Sequence, residues 1–162
     1  LLLCVLCHHC VARSKSAVQC LDENNQPVDW WFAYKMPDGF EYAYYDSTNT
    51  SSVLSVNGRS LNCTSDCALG ATLHQVYTAK TSLAHVLYND EPQGGEGYGT
   101  NSGGHCKGVL AADYQGWAML GHTLSGFWLI HSVPKFPDLG PPHFTWTAST
   151  IFGQSFLCVS LG

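Results

Sequence analysis

The chain has 162 residues, enough for one domain or for one half of a larger two-lobed protein. Its 45% apolar share excludes a disordered chain, and 16 Gly and 7 Pro argue for many turns and against a helical bundle. A formal charge of -5 excludes a simple basic glove for nucleic acid, and no apolar run reaches the roughly 20 residues of a membrane span. The first element is the apolar stretch Leu1 to Val11, followed by small residues at Ser14 and Ser16, where signal peptidase would cut. With Leu rather than Met in first place, residues 1–16 read as the remains of a secretory signal, and the chain as truncated at both ends. A metal tract built from Cys7, His8, His9 and Cys10 is the competing reading, but no matched second ligand pair follows downstream.

Val28 to Tyr34 is aromatic and β-branched and reads as an early buried strand, followed by a turn at Pro37-Asp38-Gly39. Tyr42 to Tyr45 is a short aromatic strand, and Ser47 to Ser52 a polar loop. Leu83 to Tyr88 reads as a strand that Asn89-Asp90-Glu91-Pro92 ends. Gln93 to Gly104 then holds six Gly in twelve residues, a loop that opens onto His105. Lys107 to Ala112, Phe127 to Ile130 and Ser155 to Leu161 are three further strands. Ser132-Val133-Pro134 ends the second of them, and Pro137 to His143 is a Pro-rich loop. The whole is a mixed α/β or β-rich domain.

Removing residues 1–16 leaves five Lys and Arg against twelve acids, with six His. Unperturbed His titrates near pH ~6.5, so such a chain meets a polyanion better in an acidic compartment than at neutral pH. Five Cys remain, an odd number, so at least one thiol is free or pairs outside the chain. Cys63 and Cys67 fit a small local bridge or two unpaired thiols, and the state of Cys106 is open. Cys20 and Cys158 stand at opposite ends of the segment. A bridge between them would contribute on the order of 4 kcal/mol. Two glycosylation sequons, at Asn49 and Asn62, fit an exported chain.

His105 and Lys107 stand at i and i+2 at the entrance to a strand. That spacing points both side chains to one face, about 7 Å apart. An imidazole beside an ammonium suits a phosphate, because the imidazole attacks phosphorus or moves a proton while the ammonium holds non-bridging oxygens. If the next strand is a neighbour, His131 and Ser132 at its end join His105 and Lys107 in one pocket with no obligate metal ligand set. By itself His-x-Lys equally describes a surface pair on an edge strand, and His131 a strand-end ring satisfied by backbone.

Several runs resemble deoxyribonuclease II, an acid lysosomal endonuclease family. They are Gln26 to Lys35 (QPVDWWFAYK), Leu87 to Asp90 (LYND), Gly104 to Leu110 (GHCKGVL) with Asp113, Gly126 to Pro137 (GFWLIHSVPKFP) and Gly153 to Ser160 (GQSFLCVS). The resemblance covers residues 20 to 161 in the family's order. It implies a phospholipase D-like fold, a mixed β-sheet flanked by helices, in two pseudo-symmetric halves that each supply one His-x-Lys to a shared site. Residues 17–162 would form the N-terminal half. His105, Lys107 and His131 match catalytic positions, Ser132 and Asp113 are expected to contact substrate, and Cys20 and Cys158 match the family disulfide. The implied reaction is cleavage of DNA phosphodiesters to 3'-phosphate ends without metal or other cofactor. DNA is the substrate, a C-terminal half with a second His-x-Lys is the partner, no membrane is involved, and a homodimer is a possible substitute for that half. The expected compartment is the lysosome or the outside of the cell.

Three departures stand against this pattern. No second His-x-Lys follows in the chain. Cys106 takes a position where the family usually has Thr. Asp113 to Gly126, with Trp117, Met119 and His122, is longer than the family's tight turn and reads as a lineage-specific loop or a reading-frame error. Two other readings follow. One is a non-catalytic secreted DNA- or glycan-binding relic or venom-type paralogue. The other is a metal hydrolase using His105, Cys106 and His131.

Overall fold

The computed structural model describes residues 18–49, 55–79, 83–90, 107–113, 125–138, 143–146 and 150–162. Residues 1–16, read above as a signal, the glycine-rich loop, His105, Cys106 and the long segment after Asp113 lie outside these residues. So do Thr50 and Ser51 of the first sequon.

Seven strands and one helix follow in chain order: β1 (Trp30–Lys35), β2 (Glu41–Asp46), β3 (Ser55–Ser60), α1 (Ala68–Thr78), β4 (Leu83–Asn89), β5 (Lys107–Asp113), β6 (Gly126–His131) and β7 (Gln154–Leu161). Strands expected at 28–34, 42–45, 83–88, 107–112, 127–130 and 155–161 all form, with ends moved by one or two residues. The first is not wholly buried as expected. It alternates, with Trp30 36% exposed and Trp31 fully buried.

The strands make one sheet in the order β3-β2-β1-β7-β6-β5-β4. All six ladders are antiparallel. The expected mixed sheet flanked by helices is therefore corrected, among the described residues, to an antiparallel sheet with a single helix. Antiparallel neighbours need only a return of the chain, whereas each parallel pair needs a long crossover. The one connection that crosses the sheet runs from edge strand β3 through α1 to the opposite edge, β4. β7, last in the chain, then fills the centre between β1 and β6.

β3 and α1 were not expected from the sequence. The helix does carry an amphipathic signature in Leu69, Thr72, Leu73 and Val76, all buried. A setting of Ser, Thr and Gly dilutes it. Cys67 caps the helix, its sulfur accepting from the N–H of Gly70, and it is bridged to Cys63 with Cα atoms 6.0 Å apart. That resolves the choice left open for this pair. Gly70 is required here, because a Cβ would stand 2.7 Å from the backbone nitrogen of Ser65. The Glu23 carboxylate accepts from the Ala68 N–H in the first turn, where a negative charge is favoured by the helix dipole.

The helix covers one face of the sheet. Trp31, Ala33, Val109, Ala111, Phe127, Leu129, Phe156 and Cys158 point to it and form a single core with Leu69, Leu73, Phe136 and Phe144. The Trp31 indole donates to the Thr72 hydroxyl at 3.2 Å. Cys20, just before β1, is bridged to Cys158 on β7 with Cα atoms 6.0 Å apart, as the resemblance implies.

The opposite face is also apolar. Trp30, Tyr34, Val86, Leu110, Trp128, Leu157 and Leu161 are all at least 36% exposed on it. By strand alternation no charged residue of β1, β5, β6 or β7 projects there. Among the described residues no helix is long and apolar enough to cross a membrane.

Candidate active site

The chemistry-bearing residues gather where β5 begins and β6 ends. Strand pairing sets Lys107 directly opposite His131, and His131 opposite Phe156. Directly opposed residues share a face, with Cβ atoms about 5 Å apart. Both side chains therefore point to the core side, where Lys107 is fully buried and His131 is 3% exposed. His105, two residues before Lys107, lies outside the described residues.

The His131 ring is held on three sides. It stacks on Phe156 with ring centres 5.8 Å apart and meets Phe136 edge-on at 5.4 Å. Its Nδ1 accepts from the backbone N–H of Val133 at 3.2 Å. Burial, and then the positive charge of Lys107, lower its pKa from 6.5 to about 3. The ring is therefore neutral through ordinary acid conditions. With Nδ1 accepting, the one proton of a neutral imidazole sits on Nε2. That Nε2–H is buried and has no hydrogen-bond partner among the described residues. It is a donor suited to an oxygen acceptor, so His131 in this state offers a hydrogen bond and not a nucleophilic nitrogen.

Lys107 forms an ion pair with Asp90, Nζ to Oδ1 2.6 Å. Asp90 follows β4, whose last residue, Asn89, is the register partner of Lys107. The Asn89 side chain donates to the Phe136 carbonyl at 3.3 Å and so ties the end of β4 to the loop that packs on His131. In the sequence Asp90 marks only a strand end and the close of the run Leu87 to Asp90. Its nearness to Lys107 depends on which strand pairs with β5, and no local signal carries that.

Of the two other expected site residues, one is not brought to this place and the other has its hydroxyl engaged on β7. Asp113 is at the far end of β5, six residues from Lys107, which at strand rise is about 20 Å. There it pairs with Leu83, and its N–H donates to the Ser125 carbonyl. Ser132 follows His131, but its hydroxyl donates to the Gln154 side chain and accepts from the Ser155 N–H at 3.0 Å. It acts as a clasp between β6 and β7. Asn62 and Asn49 are both exposed, as acceptor sites require.

A second fully buried lysine has a different task. The Lys35 ammonium donates to the carbonyls of Met36, Gly39 and Thr150 at 2.7 to 2.8 Å. Burial lowers its pKa, and the charge of Asp38 partly offsets this. It fastens the β1–β2 turn to the segment that enters β7.

The family model for deoxyribonuclease II matches residues 19–162. The chain is 37% identical to Plancitoxin-1 of Acanthaster planci over 161 residues, which is 91% of this chain and 42% of that protein. It is 37% identical to Deoxyribonuclease-2-alpha of Mus musculus, over 90% of this chain and 41% of that protein. It is 38% identical to Deoxyribonuclease-2-alpha of Sus scrofa, over 87% of this chain and 39% of that protein. The chain thus spans about two fifths of the length of the curated relatives it matches.

Proposed function

The chain belongs to the deoxyribonuclease II family, and on that premise we propose that it is the N-terminal half of an acid endonuclease that cleaves DNA to 3'-phosphate ends. The observation that carries this reading is the buried cross-strand pair of Lys107 and His131, with Lys107 two residues downstream of His105. In the proposed reaction one histidine, either His105 or its counterpart in a C-terminal half, attacks phosphorus through a ring nitrogen. The P–O5' bond breaks, and the departing oxygen takes a proton from the other histidine. Water then attacks phosphorus, that second histidine takes its proton, and the P–N bond breaks. The phosphate stays on the 3'-oxygen. Lys107 neutralises charge on the non-bridging oxygens, and the Nε2–H of His131 donates to one of them.

In this reading the sheet is half of a phospholipase D-like pair, and the second His-x-Lys comes from the C-terminal half or from a second copy of this chain. The apolar outer face then has a partner, and the isolated chain aggregates. The chain enters the secretory pathway and works in a lysosome or outside the cell, with glycans at Asn49 and Asn62. The test is plasmid nicking near pH 5 in chelator, comparing this chain with the full-length protein. Full-length protein should nick, and this chain should be slower by at least the roughly 10²–10⁴-fold that a positioned acid contributes. Wild-type nicking by the monomeric chain overturns the two-half mechanism. His105→Ala that leaves full-length cleavage intact removes His105 from the site. Activity that needs added metal restores the reading of a metal hydrolase, and a full-length protein that binds DNA without cutting it is the non-catalytic paralogue.

A further inference from the structure

Lys107 is an ammonium with no solvent contact, and an aromatic cluster surrounds the histidine beside it. A buried charge is costly unless an opposite charge compensates it. The Asp90 carboxylate, 2.6 Å from Nζ, supplies the compensating charge. The titratable groups facing Lys107 among the described residues are Asp90 at the end of β4 and His131 on β6. His131 is neutral and contributes no countercharge.

Asp90 is also the more accessible member of the pair. Its side chain is 23% exposed, and that of Lys107 is not exposed at all. The place of Asp90 is fixed from the sheet, because Asn89 is in register with Lys107 and is anchored on the Phe136 carbonyl.

We propose that Asp90 is a positioning residue for Lys107. It compensates the buried ammonium and fixes it beside His131, and phosphate must share or replace its contact. The consequence for turnover rests on the nuclease reading above. The charge coupling between the two residues does not.

The test uses the full-length protein with Asp90→Asn, Asp90→Glu, Lys107→Met and the double variant Asp90→Asn/Lys107→Met. Kinetics of plasmid nicking are followed from pH 4 to 8. Without the carboxylate, kcat should fall about tenfold or more, because the ammonium is no longer held in place. The KM for DNA should not rise, because the competing anion is gone. Asp90→Glu should restore much of kcat. A loss carried by KM with kcat unchanged, or one that Glu does not rescue, overturns the proposal.

The second arm is thermal unfolding of the same four variants. If Asp90 acts through Lys107, the double variant loses less than the two single losses together, because it strands no buried charge. Losses that simply add overturn the proposal. If the wild type cuts no DNA, the nuclease reading fails and this second arm alone decides the coupling.

Discussion

Lowering the pH from 7 to 5 should cost the folded protein about 2 kcal/mol through His131 alone. Its pKa is lowered from 6.5 to about 3 by burial and then by Lys107. Between those values the unfolded chain binds a proton that the folded chain refuses. Stability from this group is therefore complete above pH 6.5 and is lost progressively as the pH falls toward 3. Each pH unit in that window is worth about 1.4 kcal/mol, and pH 5 lies one and a half units into it. The assay is urea unfolding of the full-length protein at pH 7 and pH 5 without reductant, for the wild type and for His131→Phe. Phenylalanine keeps the ring between Phe136 and Phe156 and removes the titration. It also strands the Val133 N–H, a loss of about 1–3 kcal/mol that is the same at both pH values. The wild type should lose about 2 kcal/mol more than the variant on acidification. Equal losses in the two proteins would refute the claim that this imidazole stays neutral because it is buried. An enzyme working in acid would have to be stable enough to carry that loss.

Replacing Cys20 and Cys158 together by Ala should lower stability by about 4 kcal/mol, read as a fall in Tm, because the bridge closes a separation of 138 residues across the sheet. Lys35→Met should destabilise by about 3 kcal/mol or more in urea unfolding, since three carbonyls lose a charged donor at once; an unchanged midpoint would show that water replaces the ammonium there. Gly108→Ala should destabilise by at least about 1–3 kcal/mol, because its Cβ would press on the Leu129 carbonyl of β6 and the Tyr88 ring of β4. Proton–deuterium exchange should then show the β4–β5–β6 ladders opening before the β1–β2 pair.

Much of the sheet was legible locally. Tyr42 to Tyr45, Leu83 to Tyr88 and Ser155 to Leu161 are short apolar runs bounded by turn residues, and a strand needs little more than that to be recognised. The same locality explains what was overlooked. In α1 the large apolar residues Leu69, Leu73 and Val76 are separated by small or polar ones, of which Gly70, Ala71 and Thr72 are buried too, and the helix owes its place to what it packs on. Trp31 on β1 and Leu21 before it both donate to Thr72, 41 and 51 residues away in sequence. The sequence by itself determined the residue types that suit a phosphate and where most of the strands lie along the chain. Only the tertiary structure decided which of those residues meet. Register put Lys107 opposite His131, left Asp113 at the wrong end of the same strand, turned the Ser132 hydroxyl onto β7, and brought Asp90 to the lysine. The physical reason is that strand alternation is a property of one chain segment, repeating every two residues, whereas pairing is a choice among segments far apart. A choice of that kind is made by the burial and hydrogen bonding of the whole sheet at once.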